Sequence, residues 1–428
     1  MGFIRLGAGQ KTPMTPLQAL AALARCALLL LALALAGCSS LPRNGVPSEL
    51  MSDATIPGMP DVRAPAGLPS PVMERDMAKS FVQESATDFP ANAQGIVRHP
   101  HLALSGGGAN GAFGAGFLSG WSSTGKRPTF KVVTGVSTGA LMAPFAFLGP
   151  ARDEALHEFY TTTRSRDIFA LGAFLSTVGQ LLFGEGIADT GPLIALIERH
   201  IDEAFLHEIA LAHQSGRRLY IGSVDLDSQR LVIWNMGLIA TSGGPDALPL
   251  FRRVMLASAA IPIAFSPVFF EVEAAGGRYD EMHVDGGVGA QVFASGGLFS
   301  ARELRQKAGR GSAREDIYVI HNGQLAADAG TTRRSVPDIA RRTFKAAGIS
   351  AVIGDLFRIY AQALREHSGF HWITIPDGVN LSGEETFDPV VMQQLYNVGY
   401  EIARAGPPWN TLPPGVRGVA DTIVVGAE

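Results

Sequence analysis

Short apolar runs recur along the middle of the chain and are separated by longer amphipathic segments. The short runs predict strands at 101–104, 130–134, 218–224, 230–234, 269–272, 281–284, 316–320 and 370–375. The longer segments predict helices at 111–121, 145–166, 192–200, 251–260, 337–366 and 389–405. Strands that alternate with helices indicate an α/β fold, and the strand–helix–strand–helix order over 101–143 predicts a right-handed βαβ unit with parallel strands.

The N-terminus has a different pattern, which is typical of a secretory signal peptide. Arg5, Lys11 and Arg25 precede an apolar run at 27–36, and this run is too short to span a bilayer comfortably. The residues Leu35-Ala36-Gly37-Cys38 resemble the lipobox of bacterial lipoproteins. The resemblance implies cleavage before Cys38 and a diacylglycerol on its sulfur, and Ser39 in place of an Asp favours the outer membrane, facing the periplasm. The alternative is an ordinary signal peptide or anchor in which Cys38 has no role.

Composition shifts divide the rest of the chain. Prolines among small and polar residues at 38–94 predict an extended tether, within which 73–87 is expected to form a short helix that could dock on the body. The body is expected at 95–406 and a short tail at 407–428. Within the body, the apolar segment 168–183 predicts a helix that lines the core or a pocket, with a lipid-facing lid as the alternative.

Composition and charge exclude several classes of function. The 428 residues are 46% apolar with a formal net charge of -4 and no strongly basic stretch, so nucleic acid is not an expected partner. The two cysteines, Cys26 and Cys38, both lie near the N-terminus, so no disulfide framework is expected. Removing residues 1–37 removes three positive charges and no negative ones, which leaves -4 - 3 = -7. Membrane anchoring is therefore assigned to the lipid rather than to bulk charge. No cluster of His, Cys and carboxylate residues has metal-ligand spacing, and neither a metal nor a cofactor is predicted.

The motif Gly135-Val136-Ser137-Thr138-Gly139 lies between a predicted strand and a predicted helix. This is the pattern of a nucleophile elbow, in which Gly135 and Gly139 permit a tight turn and the serine hydroxyl is exposed at a helix N-terminus. The motif therefore makes Ser137 a candidate nucleophile.

A second glycine-rich loop lies upstream of the elbow. It connects the predicted strand 101–104 to the predicted helix 111–121 and reads Ser105-Gly106-Gly107-Gly108-Ala109-Asn110-Gly111. Successive glycines before a helix form a nest of N–H donors for an anion, either a phosphate or the oxyanion of an acyl-transfer intermediate. The loop lacks the Lys of a Walker motif, and no acidic residue follows about 20 residues later, as a dinucleotide fingerprint requires. Because the elbow lies one βα unit downstream, both loops are expected at the same sheet edge, which favours the oxyanion.

Two residues are candidates for the base that activates Ser137. Asp285 ends a predicted strand and is followed by two glycines, which permit a close approach to another loop. His321 follows a later predicted strand, and Asp285 followed by His321 has the order of an α/β-hydrolase triad.

The glycine loop, the elbow and Asp285-Gly286-Gly287 occur in the order and spacing of patatin-like phospholipases, and the resemblance covers about 95–406. It implies a three-layer α/β/α fold with a mostly parallel central sheet. It also implies a Ser–Asp dyad at the strand ends, with Ser137 as nucleophile and Asp285 as base. The backbone amides of Gly106, Gly107 and Gly108, with Gly111, would form the oxyanion hole. The chain departs from many members at Asn110, where they carry Arg or Lys, and at Ser105, where they carry Asp.

The expected function is therefore that of a lipid acyl hydrolase, which cleaves carboxylic esters through an acyl-serine intermediate. Its expected partners are a lipid or other acyl-ester substrate and, through Cys38, a membrane. Two alternatives remain: a carboxylesterase with a Ser–Asp–His triad, or a lipoprotein that binds acyl chains without turnover.

Overall fold

The structure is a computed structural model that describes Arg25, residues 43–168 and residues 190–416 except 312, 328, 381, 384 and 385. The expected signal peptide at 1–37, the lipidation site Cys38, most of the segment 168–183 and the end of the expected tail therefore lie outside the described residues.

One mixed sheet organises the described chain. Its strands are β1 Arg63–Pro65, β2 Arg98–Leu104, β3 Val132–Val136, β4 Arg218–Asp225, β5 Arg230–Asn235, β6 Val268–Ala274, β7 Gly277–Asp285, β8 Arg314–His321 and β9 Gly369–Thr374. The strand order is β1-β5-β4-β3-β2-β8-β9, and the five strands from β4 to β9 in this order pair in parallel. The strands β5 and β1 continue the sheet in antiparallel pairing, and the hairpin β6–β7 joins β4 through β7. The predicted mostly parallel central sheet is confirmed.

Helices cover both faces of this sheet. They are α1 Pro71–Gln83, α2 Gly111–Ser123, α3 Thr138–Leu148, α4 Asp153–Thr161, α5 Ser165–Ile168, α6 Gly191–His200, α7 Glu203–Gln214, α8 Met236–Thr241, α9 Ala247–Ser258, α10 Ala301–Lys307, α11 Val336–Glu366 and α12 Pro389–Ala405. None of the helices in the described part of the chain combines the length and hydrophobicity that crossing a membrane requires.

The alternation of side chains along the central strands separates two buried layers. Leu102 and Val133 pack into the larger core, which includes residues of α2, α3, α9 and α12. Val132 points to the opposite face, where it packs with residues of α1 and α10, and Ala103 packs there with residues of α11. The strands are thus buried on both sides, as expected for parallel strands in a three-layer fold.

The described part of the expected tether is not an extended linker. Strand β1 pairs with β5, placing Arg63 opposite Trp234, and α1 buries Met73, Met77 and Phe81 against the body. The apolar residues at helical spacing explain this result, because they give α1 a face that is stabilised by leaving water. Residues 43–94 therefore belong to the folded body, and the helix expected at 73–87 is Pro71–Gln83.

The expected single helix at 145–166 was also wrong. Helix α3 ends at Leu148, Gly149 adopts a φ of 95°, and α4 begins at Asp153 after a short 3₁₀ turn at Pro150–Arg152. A glycine with positive φ followed by proline ends a helix, because the first residue leaves the helical conformation and the second lacks an N–H.

Candidate active site

The turn between β3 and α3 has the geometry of an elbow at Ser137. This serine has φ 54° and ψ -125°, which is an unusual backbone conformation for a residue with a side chain. A Cβ at Gly135 would collide with the carbonyl of Gly139, and a Cβ at Gly139 would collide with the carbonyl of Leu104. Both elbow glycines are therefore required by close approach of the backbone, and the second one brings the turn against the end of β2.

Ser258, the last residue of α9, stabilises the turn at Ser137 through its hydroxyl group. The backbone N–H of Ser137 donates to Ser258 Oγ at 3.0 Å, and that hydroxyl donates to the carbonyl of Gly222 at 2.6 Å. Ser258 is fully buried, so it satisfies two backbone groups that have no access to water. In the sequence, the only signal of this role is the position of a serine near the end of a predicted helix.

Asp285 reaches Ser137 because β4 pairs with both β3 and β7. Val136 pairs with Gly222 of β4, and the next residue of β4, Ser223, pairs with Asp285. The Ser137 hydroxyl donates to Asp285 Oδ2 at 2.6 Å. The other carboxylate oxygen, Oδ1, accepts from the N–H of Gly287 at 2.7 Å. The structure thus brings the two predicted residues into direct contact, with the carboxylate fixed at both oxygens.

The surroundings of Asp285 make its carboxylate more basic. Burial raises its pKa from 3.8 to about 6, and the hydrogen bonds from Ser137 and the N–H of Gly287 oppose this rise. Burial dominates because the charged carboxylate loses its hydration. A pKa near 6 leaves the group ionised at neutral pH while making it a better proton acceptor than an ordinary aspartate.

Two of the four loop amides that were predicted to form the oxyanion hole are available to an anion. The N–H of Gly106 donates to the carbonyl of Gln291 at 3.1 Å, and the N–H of Gly111 donates to the carbonyls of Gly108 and Ala109. Within the described residues, the N–H groups of Gly107 and Gly108 have no hydrogen-bond acceptor. The loop therefore keeps the amides of Gly107 and Gly108 available for an anion.

Gly111 has a packing role in this arrangement. A Cβ at this position would collide with the hydroxyl of Thr138 and press on the ring of Tyr160. The hydroxyls of Thr138 and Tyr160 lie 2.8 Å apart, and Tyr160 also donates to the carbonyl of Thr138 at 2.6 Å. The start of α2 can therefore approach the start of α3 only with glycine at position 111.

Asn322 supports the glycine loop from β8. Its Oδ1 accepts from the N–H of Gly114 at 3.1 Å, and its Nδ2 donates to the carbonyl of Ser105 at 3.0 Å. A Cβ at Gly107 would collide with the carbonyl of Asn322. Asn322 was missed from the sequence, where a polar residue just after a strand was its only signal.

The histidines of the described residues make their hydrogen bonds to groups other than Ser137 and Asp285. His321 Nδ1 lies 3.0 Å from Ser105 Oγ, and burial lowers the pKa of His321 to about 4. In the described part of the chain, no hydrogen bond joins a histidine to Ser137 or Asp285. Nor is there, among those residues, a group of three or more His, Cys, Asp or Glu side chains suited to a metal ion.

Two cavities meet at the glycine loop. A narrow apolar cavity of about 40 Å³ contains Ser137 and Gly108 in its wall, and its other lining residues include Leu141, Phe159 and Phe265. A larger cleft of about 700 Å³ lies on the other side, and its wall includes Gly107, Asn110, Gln291 and Asn322. The loop thus separates an apolar space from a wider, more polar one.

One family model matches the segment that carries the three motifs. Residues 102–296 match the family model of patatin-like phospholipases. Among solved structures, the crystal structure of VipD from Legionella pneumophila matches with 13% sequence identity and a TM-score of 0.35, covering 74% of this chain and 69% of that chain. A search among curated protein sequences found no match.

Proposed function

We propose that this chain hydrolyses lipid esters with Ser137 and Asp285 as a catalytic dyad, and the match of residues 102–296 to the family model of patatin-like phospholipases supports this proposal. Ser137 Oγ attacks the carbonyl carbon of a lipid ester, and Asp285 accepts the hydroxyl proton. The observation that carries this proposal is the 2.6 Å hydrogen bond from Ser137 Oγ to Asp285 Oδ2, made at a strained turn.

In the first half of the reaction, a bond forms between Ser137 Oγ and the carbonyl carbon while the proton passes to Asp285 Oδ2. The carbonyl oxygen becomes an oxyanion, which the free amides of Gly107 and Gly108 stabilise. When the C–O bond to the alcohol breaks, Asp285 returns its proton to the leaving oxygen. In the second half, Asp285 takes a proton from water, the resulting hydroxide adds to the acyl-serine, and the proton returns to Ser137 Oγ as the fatty acid leaves.

The two cavities suggest how the substrate lies. The first methylenes of the acyl chain enter the apolar cavity beside Ser137, whose volume of about 40 Å³ holds only this part of the chain, and the alcohol part of the ester extends into the cleft beyond Gly107. Asn110 supplies an amide to this cleft in place of a cation. The proposal therefore predicts hydrolysis of acyl esters without a strict requirement for a charged headgroup.

A labelling experiment tests whether Ser137 is an activated nucleophile. A fluorophosphonate probe followed by peptide mapping is expected to label Ser137, and Ser137→Ala is expected to abolish both the label and the hydrolysis of a p-nitrophenyl ester. The exposed Ser52, which a probe can reach, serves as the internal control for labelling without activation. Undiminished hydrolysis by Ser137→Ala would refute the proposal.

The choice of base is tested with a second pair of variants. Asp285→Asn is expected to reduce kcat by at least about 10²-fold, the lower end of general-base contributions. His321→Ala is expected to leave kcat within a few-fold, because His321 contacts Ser105 rather than the reacting hydroxyl. The opposite result would favour the triad with His321. Labelling of Ser137 without turnover of any ester would favour a lipoprotein that only binds acyl chains.

We also propose that the mature protein is a lipoprotein of the outer membrane that faces the periplasm, anchored by a lipid on Cys38. The lipobox-like residues 35–38 and the apolar run before them support this proposal. Globomycin, which blocks cleavage of lipoprotein precursors, is expected to leave an unprocessed precursor. Normal maturation in its presence, or in Cys38→Ser, would contradict the proposal.

A further inference from the structure

Helix α11 exposes a set of large apolar side chains on one side. The side chains that α11 buries, those of Val352, Leu356, Ile359 and Ala363, are at most 3% exposed and share the side that faces the sheet. At about 100° per residue, the exposed apolar residues spread over an arc of about 160° that is centred opposite the buried side. They are Val336 (82% exposed), Ile339 (52%), Phe344 (67%), Phe357 (42%) and Leu364 (60%). We call these five residues the outer face of α11.

The charge of this segment has the opposite sign to that of the whole chain. Between Thr331 and Glu366 there are seven cations and three acids, so the segment carries 7 - 3 = +4, while the chain carries -4. Two of the acids, Asp355 and Glu366, are buried, and they accept hydrogen bonds from the backbone N–H groups of Gln291 and Arg302. Arg341, Arg358 and Arg365 lie within 4 Å of the three acids, but their own side chains are 68–71% exposed. Because two of the three acids are buried, positive charge dominates the solvent-exposed side of this segment. The cations of the segment are Arg333, Arg334, Arg341, Arg342, Lys345, Arg358 and Arg365.

The same helix borders the candidate active site. Phe344 and Lys345 line the large cleft together with Gly107 of the glycine loop. Further along α11, Asp355 Oδ2 accepts from the N–H of Gln291 at 2.7 Å, and the carbonyl of Gln291 accepts from the N–H of Gly106 at 3.1 Å. The outer face is thus part of an element that also positions the loop beside Ser137.

We propose that the outer face of α11 docks on the surface of an anionic lipid bilayer. Its apolar side chains enter the boundary between headgroups and acyl chains, and the cations around them contact lipid phosphates, as in interfacial amphipathic helices. Charge complementarity selects this occupant. A second copy of the chain is disfavoured, because a twofold contact would bring two segments of +4 charge together. The inference rests on the proposed function, since docking here brings lipid esters to the cleft.

Vesicle co-sedimentation tests docking separately from hydrolysis. The probe is the chain from residue 38 onward with Cys38→Ser and Ser137→Ala, which has neither lipid nor nucleophile and retains every helix and strand given above. It is expected to bind vesicles of phosphatidylglycerol and phosphatidylethanolamine at low salt. Binding to phosphatidylcholine vesicles, or to the anionic vesicles at high salt, is expected to be weaker, by roughly fivefold for each cation that engages the surface.

Substitutions on α11 test whether its outer face is the surface that binds the vesicles. Phe344→Ser combined with Phe357→Ser is expected to lower partitioning at least about tenfold, and Arg341→Glu roughly fivefold or more. The matched controls are Val82→Ser, an apolar side chain that is 78% exposed on α1, and Arg253→Glu, an exposed cation on α9. Both controls are expected to bind like the parent. Thermal midpoints confirm that all variants are folded.

Three outcomes would overturn the inference. They are equal binding to neutral and anionic vesicles, loss of binding in the controls but not in the α11 variants, and a dimer in solution that only the α11 variants dissociate. The Ser137→Ala background keeps the two proposals apart. A failure of Ser137 labelling would remove the catalytic mechanism while leaving vesicle binding measurable, and a failure of vesicle binding would leave labelling intact.

Discussion

The raised pKa of Asp285 predicts how activity depends on pH. Burial places this pKa at about 6, so protonation below pH 6 removes the base that Ser137 requires. Only the ionised carboxylate can accept the hydroxyl proton. The value of kcat/KM is therefore expected to rise with pH through a single ionisation near 6 and to become constant above about pH 7.

The size of the effect follows from the fraction of ionised carboxylate. With a pKa of about 6, this fraction is about 0.99 at pH 8 and about 0.09 at pH 5, so kcat/KM should fall roughly elevenfold between these values. If His321 were the base, its pKa of about 4 would leave it about 0.9 neutral at pH 5, and kcat/KM would change by only about a tenth. The two bases therefore predict clearly different profiles.

The assay is the initial rate of p-nitrophenyl ester hydrolysis below KM, followed at a wavelength where both forms of the product absorb equally. Circular dichroism at each pH verifies that the protein stays folded. A flat profile from pH 8 to pH 5 would refute the assignment of Asp285 as the base. So would an unchanged acidic limb in the residual activity of Asp285→Asn.

Three further predictions concern the turn and the glycine loop. The free energy of unfolding in urea is expected to be about 1–2 kcal/mol higher for Ser137→Gly than for Ser137→Ala. Both variants lose the same hydroxyl, but only glycine relieves the strained φ. Gly107→Ala is expected to lower kcat about 10²–10³-fold, since its Cβ must displace the loop from the carbonyl behind it. Its matched control, Gly108→Ala, has open space around the new Cβ and bears only the cost of about 1–2 kcal/mol that a φ of 56° imposes on alanine, so it should lose less; equal losses would contradict the steric explanation. Ser258→Ala is expected to lower the free energy of unfolding by about 1–3 kcal/mol, because it leaves two buried backbone groups without partners. A change within experimental error would show that those groups find other partners.

Local sequence signals were sufficient to predict the elements that carry the candidate site. The glycines that flank Ser137 and those that follow Asp285 predicted close approach of the backbone, and the structure places both residues in contact. That contact depends on pairing across β4, because Ser223 of that strand lies opposite Asp285. No local sequence pattern indicates which antiparallel strand will join a parallel sheet. The distance between Ser137 and Asp285 could therefore not be predicted from the sequence.

Hydrogen-bond partners were the least predictable part of the site. Nothing in the sequence distinguishes the four loop glycines from one another. In the structure, however, the N–H of Gly106 donates to the carbonyl of Gln291, a residue far along the chain. Asn322 and Ser258 likewise act through buried backbone groups that are brought near them only by the complete fold. The proline-rich composition of 38–94 also misled, because composition describes the average character of a segment while a few apolar side chains at helical spacing were enough to bury α1.

The packing of residues 43–94 on the body limits how far the protein can move from its anchor. Arg43 is held by Asp227 and Asp280, so only residues 38–42 separate the expected lipidation site from the folded body. A fully extended chain of five residues reaches about 17 Å, whereas the 57 residues of the expected tether would have reached about 200 Å. With a lipid on Cys38, the body would remain at the surface of its own membrane. It would meet lipids of the leaflet that holds its anchor, and it could not span the periplasm to act on the opposite membrane.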